Sequence, residues 1–210
     1  MHLELAALEK LECYKIITGL VIPRPIAWVS TVNAQGVNNC APYSFFNAFS
    51  EDPPLCMVSF APRKDGKVKH SLKNILDTGE FVVNLGDEAT ANALHISADE
   101  IPEDESEFEK TGLTPAPCLR VRHPRIAEAP VALECTLFEK LETPSRHIFI
   151  GRVLWMHARD DLIDLERYRV RLQNYYPVAR FGASFYTRTR DRFAIGADAH
   201  PEHSTAIDEI

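Results

Sequence analysis

The sequence predicts a mainly β, α+β fold: an antiparallel β-barrel with short helical inserts. Three observations carry this. At least six segments have strand composition or two-residue alternation, with turn signals between them. Only two short stretches change to a helical period. No regular alternation of strand and helix runs along the chain, which argues against a parallel Rossmann-type sheet.

The elements follow in order. Residues 1–22 mix charge and leucine and lead in as helix or turn. Pro23-Arg24-Pro25-Ile26 forces extended backbone, because two prolines one residue apart fix φ and remove donors. Ile26–Val32 is rich in strand formers. Asn33-Ala34-Gln35-Gly36 has hairpin-turn composition, and a second strand follows over Val37–Ser44. Asp52-Pro53-Pro54 leads into a third strand, Leu55–Phe60. From Lys67 to Asp77 the period becomes helical: Val68, Leu72, Ile75 and Leu76 share a face, Ser71 is a cap candidate and Gly79 a terminator. Phe81–Leu85 is a strand and Glu88–Ala98 a short helix. Residues 99–109 hold seven acids in eleven positions, which predicts a solvated loop, with Arg120–Arg125 as a basic counterpart. Alternation over Val131–Phe138 and Ile148–Met156 gives two long strands. Asp160–Leu172 is charged and reads as partly helical. The expected domain covers residues 1–193, with 194–210 as a frayed tail.

The 210 residues carry 23 Lys+Arg against 30 Asp+Glu, a formal net charge of −7. That balance argues against a nucleic-acid binder, whose phosphate contacts need a basic face, and against an anionic membrane surface. Pro25–Ser50 holds no charge, but Asn33, Gln35, Asn38, Asn39, Pro42 and Asn47 exclude a spanning helix. The start, Met1-His2-Leu3-Glu4-Leu5, lacks the basic and apolar regions of a secretory signal. Cys13, Cys40, Cys56, Cys118 and Cys135 are odd in number, widely spaced and without CxxC, as expected of reduced thiols in a cytoplasmic protein.

Familiar catalytic signatures are missing: the sequence has no HExxH, GxSxG, P-loop or GxGxxG, so no metal site is expected. The informative stretch is 24–74. Asn39–Asn47 places hydroxyls and amides beside aromatics, which suits a flat heteroaromatic ligand with backbone groups at its edge. Lys67, Lys69, His70 and Ser71 stand at a helix N-terminus, a natural anion site. By pattern alone Phe45, Phe46 and Phe49 are more often core residues. The residues themselves support a barrel that binds a phosphorylated aromatic ligand.

Several ordered segments resemble a known family. They are Pro23-Arg-Pro-Ile-Ala-Trp-Val-Ser-Thr31, Ala41-Pro-Tyr-Ser-Phe-Phe-Asn-Ala48, Asp52-Pro-Pro54, Asn74-Ile75, Gly79-Glu-Phe-Val-Val-Asn84 and His147-Ile-Phe-Ile-Gly-Arg-Val153. The chain resembles the flavin reductase-like family, with its FMN-binding split barrel, from about Tyr14 to Tyr186. The resemblance implies one FMN per subunit at a homodimer interface and NAD(P)H as co-substrate. By position, Ser30 and Thr31 would approach the ring or ribityl chain, and Ala41, Pro42, Tyr43 and Ser44 would line the isoalloxazine. Asn47 and Ser59 would face the ribityl-phosphate end, Lys69 and Ser71 would hold the phosphate, and His147 would lie near the flavin face as the catalytic candidate. Two departures stand out: Lys69-His70-Ser71 replaces Lys-Asp-Thr, and Ser145-Arg146-His147 replaces Gly-Asp-His. The implied activity is flavin reduction, feeding a small-molecule substrate or a downstream flavin-using enzyme. The alternatives are an electron-transfer or non-catalytic FMN protein of the same fold, and a barrel without flavin.

Overall fold

The computed structural model describes residues 1–63 and 65–192, so the tail predicted over 194–210 lies outside the described residues. Helix α1 (Lys10–Leu20) comes first, its opening turn tied by Glu9 N–H donating to Glu12 Oε2 at 3.1 Å. Strands β1 (Ala27–Val32) and β2 (Asn38–Tyr43) form a hairpin. Its turn is built by Asn33, whose Oδ1 accepts from Gln35 N and Val37 N, with Gly36 at φ 84°. Then come β3 (Phe46–Glu51), β4 (Pro54–Phe60), α2 (His70–Thr78), β5 (Glu80–Leu85), α3 (Ala91–Ile96) and α4 (Glu107–Thr111). Short β6 (Pro115–Ala116) and β7 (Arg125–Ile126) precede the long hairpin of β8 (Val131–Thr143) and β9 (Arg146–Ala158). Two small hairpins close the described chain: β10 (Ile163–Asp164) with β11 (Arg169–Val170), and β12 (Ala179–Gly182) with β13 (Phe185–Thr187).

The seven-stranded sheet has the order β2-β1-β5-β8-β9-β4-β3, antiparallel throughout. Its two edge strands, β2 and β3, are joined by only Ser44 and Phe45. So short a link forces the edges together, and the sheet must roll into a barrel. Phe45 O accepts from Ser59 N at 2.9 Å and Tyr43 packs edge-on against Phe60, both beside that junction.

Alternation splits the buried residues between two cores. Ala27 and Val29 point into the barrel with Val58, Phe60, Phe81, Val83, Cys135 and Phe149, and α2 adds Leu72 and Ile75. Trp28, on the other face of β1, and Ile26 just before the strand pack with Cys40, Leu94, Phe108, Ile126 and Val178. Because both faces of β1 are covered, its residues read as a continuous apolar run rather than a strict alternation.

The structure corrects several expectations. Lys69, not Ser71, is the N-cap of α2, while Gly79 ends the helix in left-handed conformation as expected. The acidic stretch is not simply a solvated loop. Ile101 and Phe108 anchor it in the interior, Glu107 is buried at the start of α4, and three of its other acids, Glu100, Glu103 and Asp99, pair with Lys69, Lys73 and Lys110. The Arg120–Arg125 segment therefore does not neutralise it. Arg122 pairs instead with Glu80, and the N–H groups of Leu119, Arg120 and Val121 donate to buried Glu134. Asp160–Leu172 forms the β10–β11 hairpin rather than a helix, because Asp164 accepts from Glu166 N and Arg167 N and turns the chain.

Candidate functional site

β1 and β2 place Thr31 opposite Asn39, and α2 lies above them. A buried polar network grows from this pairing. Thr31 Oγ1 and Ser71 Oγ both donate to Asn39 Oδ1, at 3.3 and 2.7 Å, and Asn74 Nδ2 donates to Thr31 Oγ1 at 3.0 Å. Asn39 Nδ2 and Cys40 N donate to Glu107 Oε2 at 2.8 and 3.2 Å. Burial pushes the Glu107 carboxyl up, and these donors oppose that shift. The network fixes the N-terminus of α2 against the sheet, a direct consequence of the rule that buried polar groups find partners.

Beside it lies a cavity of about 190 Å³. Six of the residues singled out in the sequence meet on its wall: Ala41, Pro42, Tyr43, Ser44, Ser59 and Lys69. Tyr14, Phe45 and Arg146 join them. Two polar atoms there, Tyr43 Oη and Ser59 Oγ, are buried with no hydrogen-bond partner among the described residues; the Tyr43 oxygen neighbours the Ser71 hydroxyl without good geometry. Burial raises the Tyr43 phenol, so it stays a neutral donor. Unmet donors on an apolar wall are what a bound heteroaromatic group with edge acceptors would satisfy. The residues present therefore fit a flavin.

A smaller cavity of about 30 Å³ continues from this one through Ala41, Tyr43 and Lys69 and reaches Ser71. Lys69 stands at the head of α2, where an anion is favoured, and its Nζ is 2.7 Å from Glu100 Oε1. Arg63 supports the same corner: Nη1 is 2.9 Å from His70 Nε2 and Nε is 3.9 Å from Glu100. Burial, and then Arg63, lower the His70 pKa, keeping it neutral there.

Four other predicted positions stand apart. Ser30 faces the second core, donating to Pro124 O at 2.6 Å and accepting from Asn84 Nδ2 at 2.9 Å. Thr31 is enclosed in the network described above. Asn47 is exposed on β3, its Oδ1 accepting from Ala48 N. His147 lies 3.5 Å from Glu142 across the β8–β9 hairpin and is not on the cavity wall. Its neighbour Arg146 is, since adjacent strand residues point to opposite faces. Arg146 sits 3.8 Å from the centroid of the Phe45 ring, a cation–π contact. The change from Gly-Asp-His to Ser145-Arg146-His147 was the signal that could have found it.

Comparison with known proteins shows the family to which this fold belongs. The profile described as "Flavin reductase like domain" matches residues 19–175. An uncharacterized protein of Aquifex aeolicus is 41% identical over 175 residues, covering 83% of this chain and 89% of its own. The crystal structure of Pseudomonas fluorescens 2-nitrobenzoate 2-nitroreductase NbaA superposes with a TM-score of 0.84 at 37% identity, covering 93% of this chain and 95% of that one. Nitrilotriacetate monooxygenase component B from Bacillus cereus gives 0.86 at 33% identity, covering 93% and 98%. With a rolled antiparallel sheet of this order and a matching profile over most of its length, the chain belongs to the flavin reductase-like family of split-barrel proteins.

Proposed function

We propose that this protein is an FMN-dependent oxidoreductase that takes hydride from NAD(P)H, works as a homodimer in the cytoplasm, and passes electrons to a small molecule or a flavin-using partner enzyme. The observation that carries the reading is the cavity wall of Ala41–Ser44, with Tyr43 Oη and Ser59 Oγ buried and unpartnered beside it. A nitroreductase and a monooxygenase component among relatives of nearly equal length support a redox role. The described residues include no helix long and apolar enough to cross a membrane, and all five cysteines are free thiols, which supports the cytoplasmic assignment.

Bound FMN supplies the hydride and electron chemistry. The chain supplies position. Ala41, Pro42 and Phe45 offer an apolar wall that excludes water, Tyr43 and Ser59 offer neutral donors to ring or ribityl acceptors, and Lys69 with the head of α2 faces the phosphate. No side-chain nucleophile is needed. A charge-assisted hydrogen bond contributes about 1.5–3 kcal/mol, so Lys69→Ala should weaken FMN by about ten- to a hundredfold. Riboflavin, which lacks the phosphate, should hardly respond. Fluorescence titration of both ligands tests this; equal losses would remove Lys69 from the phosphate site, and wild-type protein that takes up no FMN would contradict the whole reading.

A further inference from the structure

The flavin cavity opens into a groove of about 480 Å³, through shared walls at Tyr14, Pro42 and Ser44. The groove runs between α1 and the β12–β13 hairpin. In a chain of net charge −7, its walls and those of the flavin cavity carry Lys15, Arg24, Lys69, Arg146 and Arg180 and not one carboxylate.

Arg24 lies within electrostatic reach of both Arg180 and Arg146. The backbones of Arg24 and Arg180 pair through two 2.9 Å hydrogen bonds. Arg24 and Arg146 both lie over the Phe45 ring, at 6.0 and 3.8 Å from its centroid. Arg180 lies 4.8 Å from the Tyr186 ring centroid. Arg24 spends its donors on Thr18 O, Val21 O and Ser44 Oγ. Among the described residues, none of Arg24, Arg146 and Arg180 makes an ion pair. Burial lowers the pKa of Arg24 and of Arg146, as expected for cations partly withdrawn from water without a counter-charge. Converging cations on aromatic supports, with no acid to balance them, leave a repulsion that a bound anion relieves.

We propose that this groove is the co-substrate subsite, and that it takes a planar aromatic molecule carrying a carboxylate or phosphate, with Arg180 on its own wall and Arg146 on the adjoining wall of the flavin cavity as its anion-recognising residues. The ring would lie against Tyr14, Pro42 and Tyr186, leaving the oxyanion to the guanidiniums. The proposal rests on the flavin reading for its place beside the ring, while its electrostatics stand on this chain alone. Two sources share the chemistry: an aromatic acid, and the pyrophosphate of a nicotinamide dinucleotide.

The test is calorimetric titration of FMN-saturated protein with benzoate against benzamide, and with ADP against adenosine. At least one anion should bind about tenfold or more tighter than its neutral counterpart, and which one identifies the source. Arg146→Ala should remove about ten- to a hundredfold of that anion's affinity, Arg146→Lys should restore part of it, and Arg180→Ala should act in the same direction. Neither neutral ligand should respond. No preference for either anion, or a loss in Arg146→Ala equal for charged and neutral ligands, overturns the proposal. A loss confined to FMN, sparing both anions, overturns it too, since Arg146 would then serve the cofactor. If the protein takes up no FMN, the flavin reading fails, and the same titrations on the flavin-free protein still decide the charge preference.

Discussion

His123 is fully buried, with Nδ1 accepting from Val32 N at 2.9 Å and Nε2 3.0 Å from Thr78 Oγ1. Those two bonds pin the loop before β7 to the end of β1 and the last turn of α2. The bond from Val32 needs a neutral imidazole, because protonation would turn the Nδ1 acceptor into a donor, while Nε2–H goes on donating to Thr78. Burial, with Arg122 adding to it, lowers its pKa to about 4. The unfolded chain, with an ordinary histidine near 6.5, binds the proton first as pH falls. Stability from this residue is therefore complete above pH 6.5 and is lost as pH drops toward 4. The loss between pH 7 and pH 5 should be about 2 kcal/mol. Urea unfolding at the two pH values checks it, with His123→Gln as the variant whose stability, lower overall, should depend less on pH over that range. At this scale the sequence singled out residues 41–44, 59 and 69 by their hydroxyls, lysine and family pattern, and the structure brings them onto one cavity wall. It did not show that Ser30 and Thr31 are consumed by partners far away in sequence, Pro124 and Asn74. Long-range partners leave no local signature.

Among the elements, β9 carries the barrel's closest approach. Gly151 faces Cys56 on β4 and Leu137 on β8. A Cβ there would overlap the Phe81 ring, with Cε1 at 3.1 Å and Cys135 Cβ at 3.4 Å. The ring is fully buried and cannot swing aside. Gly151→Ala should therefore destabilise by about 1–3 kcal/mol. Gly19, in α1, would meet nothing within 4 Å, so Gly19→Ala should be stabilising by about 0.5–1 kcal/mol. Opposite shifts in the urea midpoints are expected, and equal shifts would contradict the packing described. Elements with strong period or turn chemistry were legible: β1, β2, β4, β5, α2 and the two long strands. β3 was not read as a strand, because an edge strand with mostly exposed residues has no alternation to show. The acidic segment misled for a different reason. Its charge count hid Ile101 and Phe108, the apolar residues that hold it down.

At the scale of the molecule, the rolled sheet and the family were legible from ordered segments spread over the chain. The groove's charge was not, since Lys15, Arg24, Arg146 and Arg180 come from distant elements. Exposed apolar side chains cluster along the hairpin, with Phe138 and Leu141 on β8 and Leu154, Trp155 and Met156 on β9. Phe49 on β3 is 57% exposed. Such surface is expected to be covered by a second copy. If FMN touches both copies, holoprotein should sediment as a dimer at dilutions where flavin-free protein dissociates. A monomer that still binds FMN tightly would contradict this.

The central claim is that bound FMN is reduced by a nicotinamide nucleotide. Anaerobic mixing of the FMN-loaded protein with NADH or NADPH tests it most directly. The account expects the yellow absorbance to bleach within seconds with one or both nucleotides. A flavin that stays oxidised with both, yet bleaches with dithionite, would contradict the reductase and leave an FMN protein that only relays electrons.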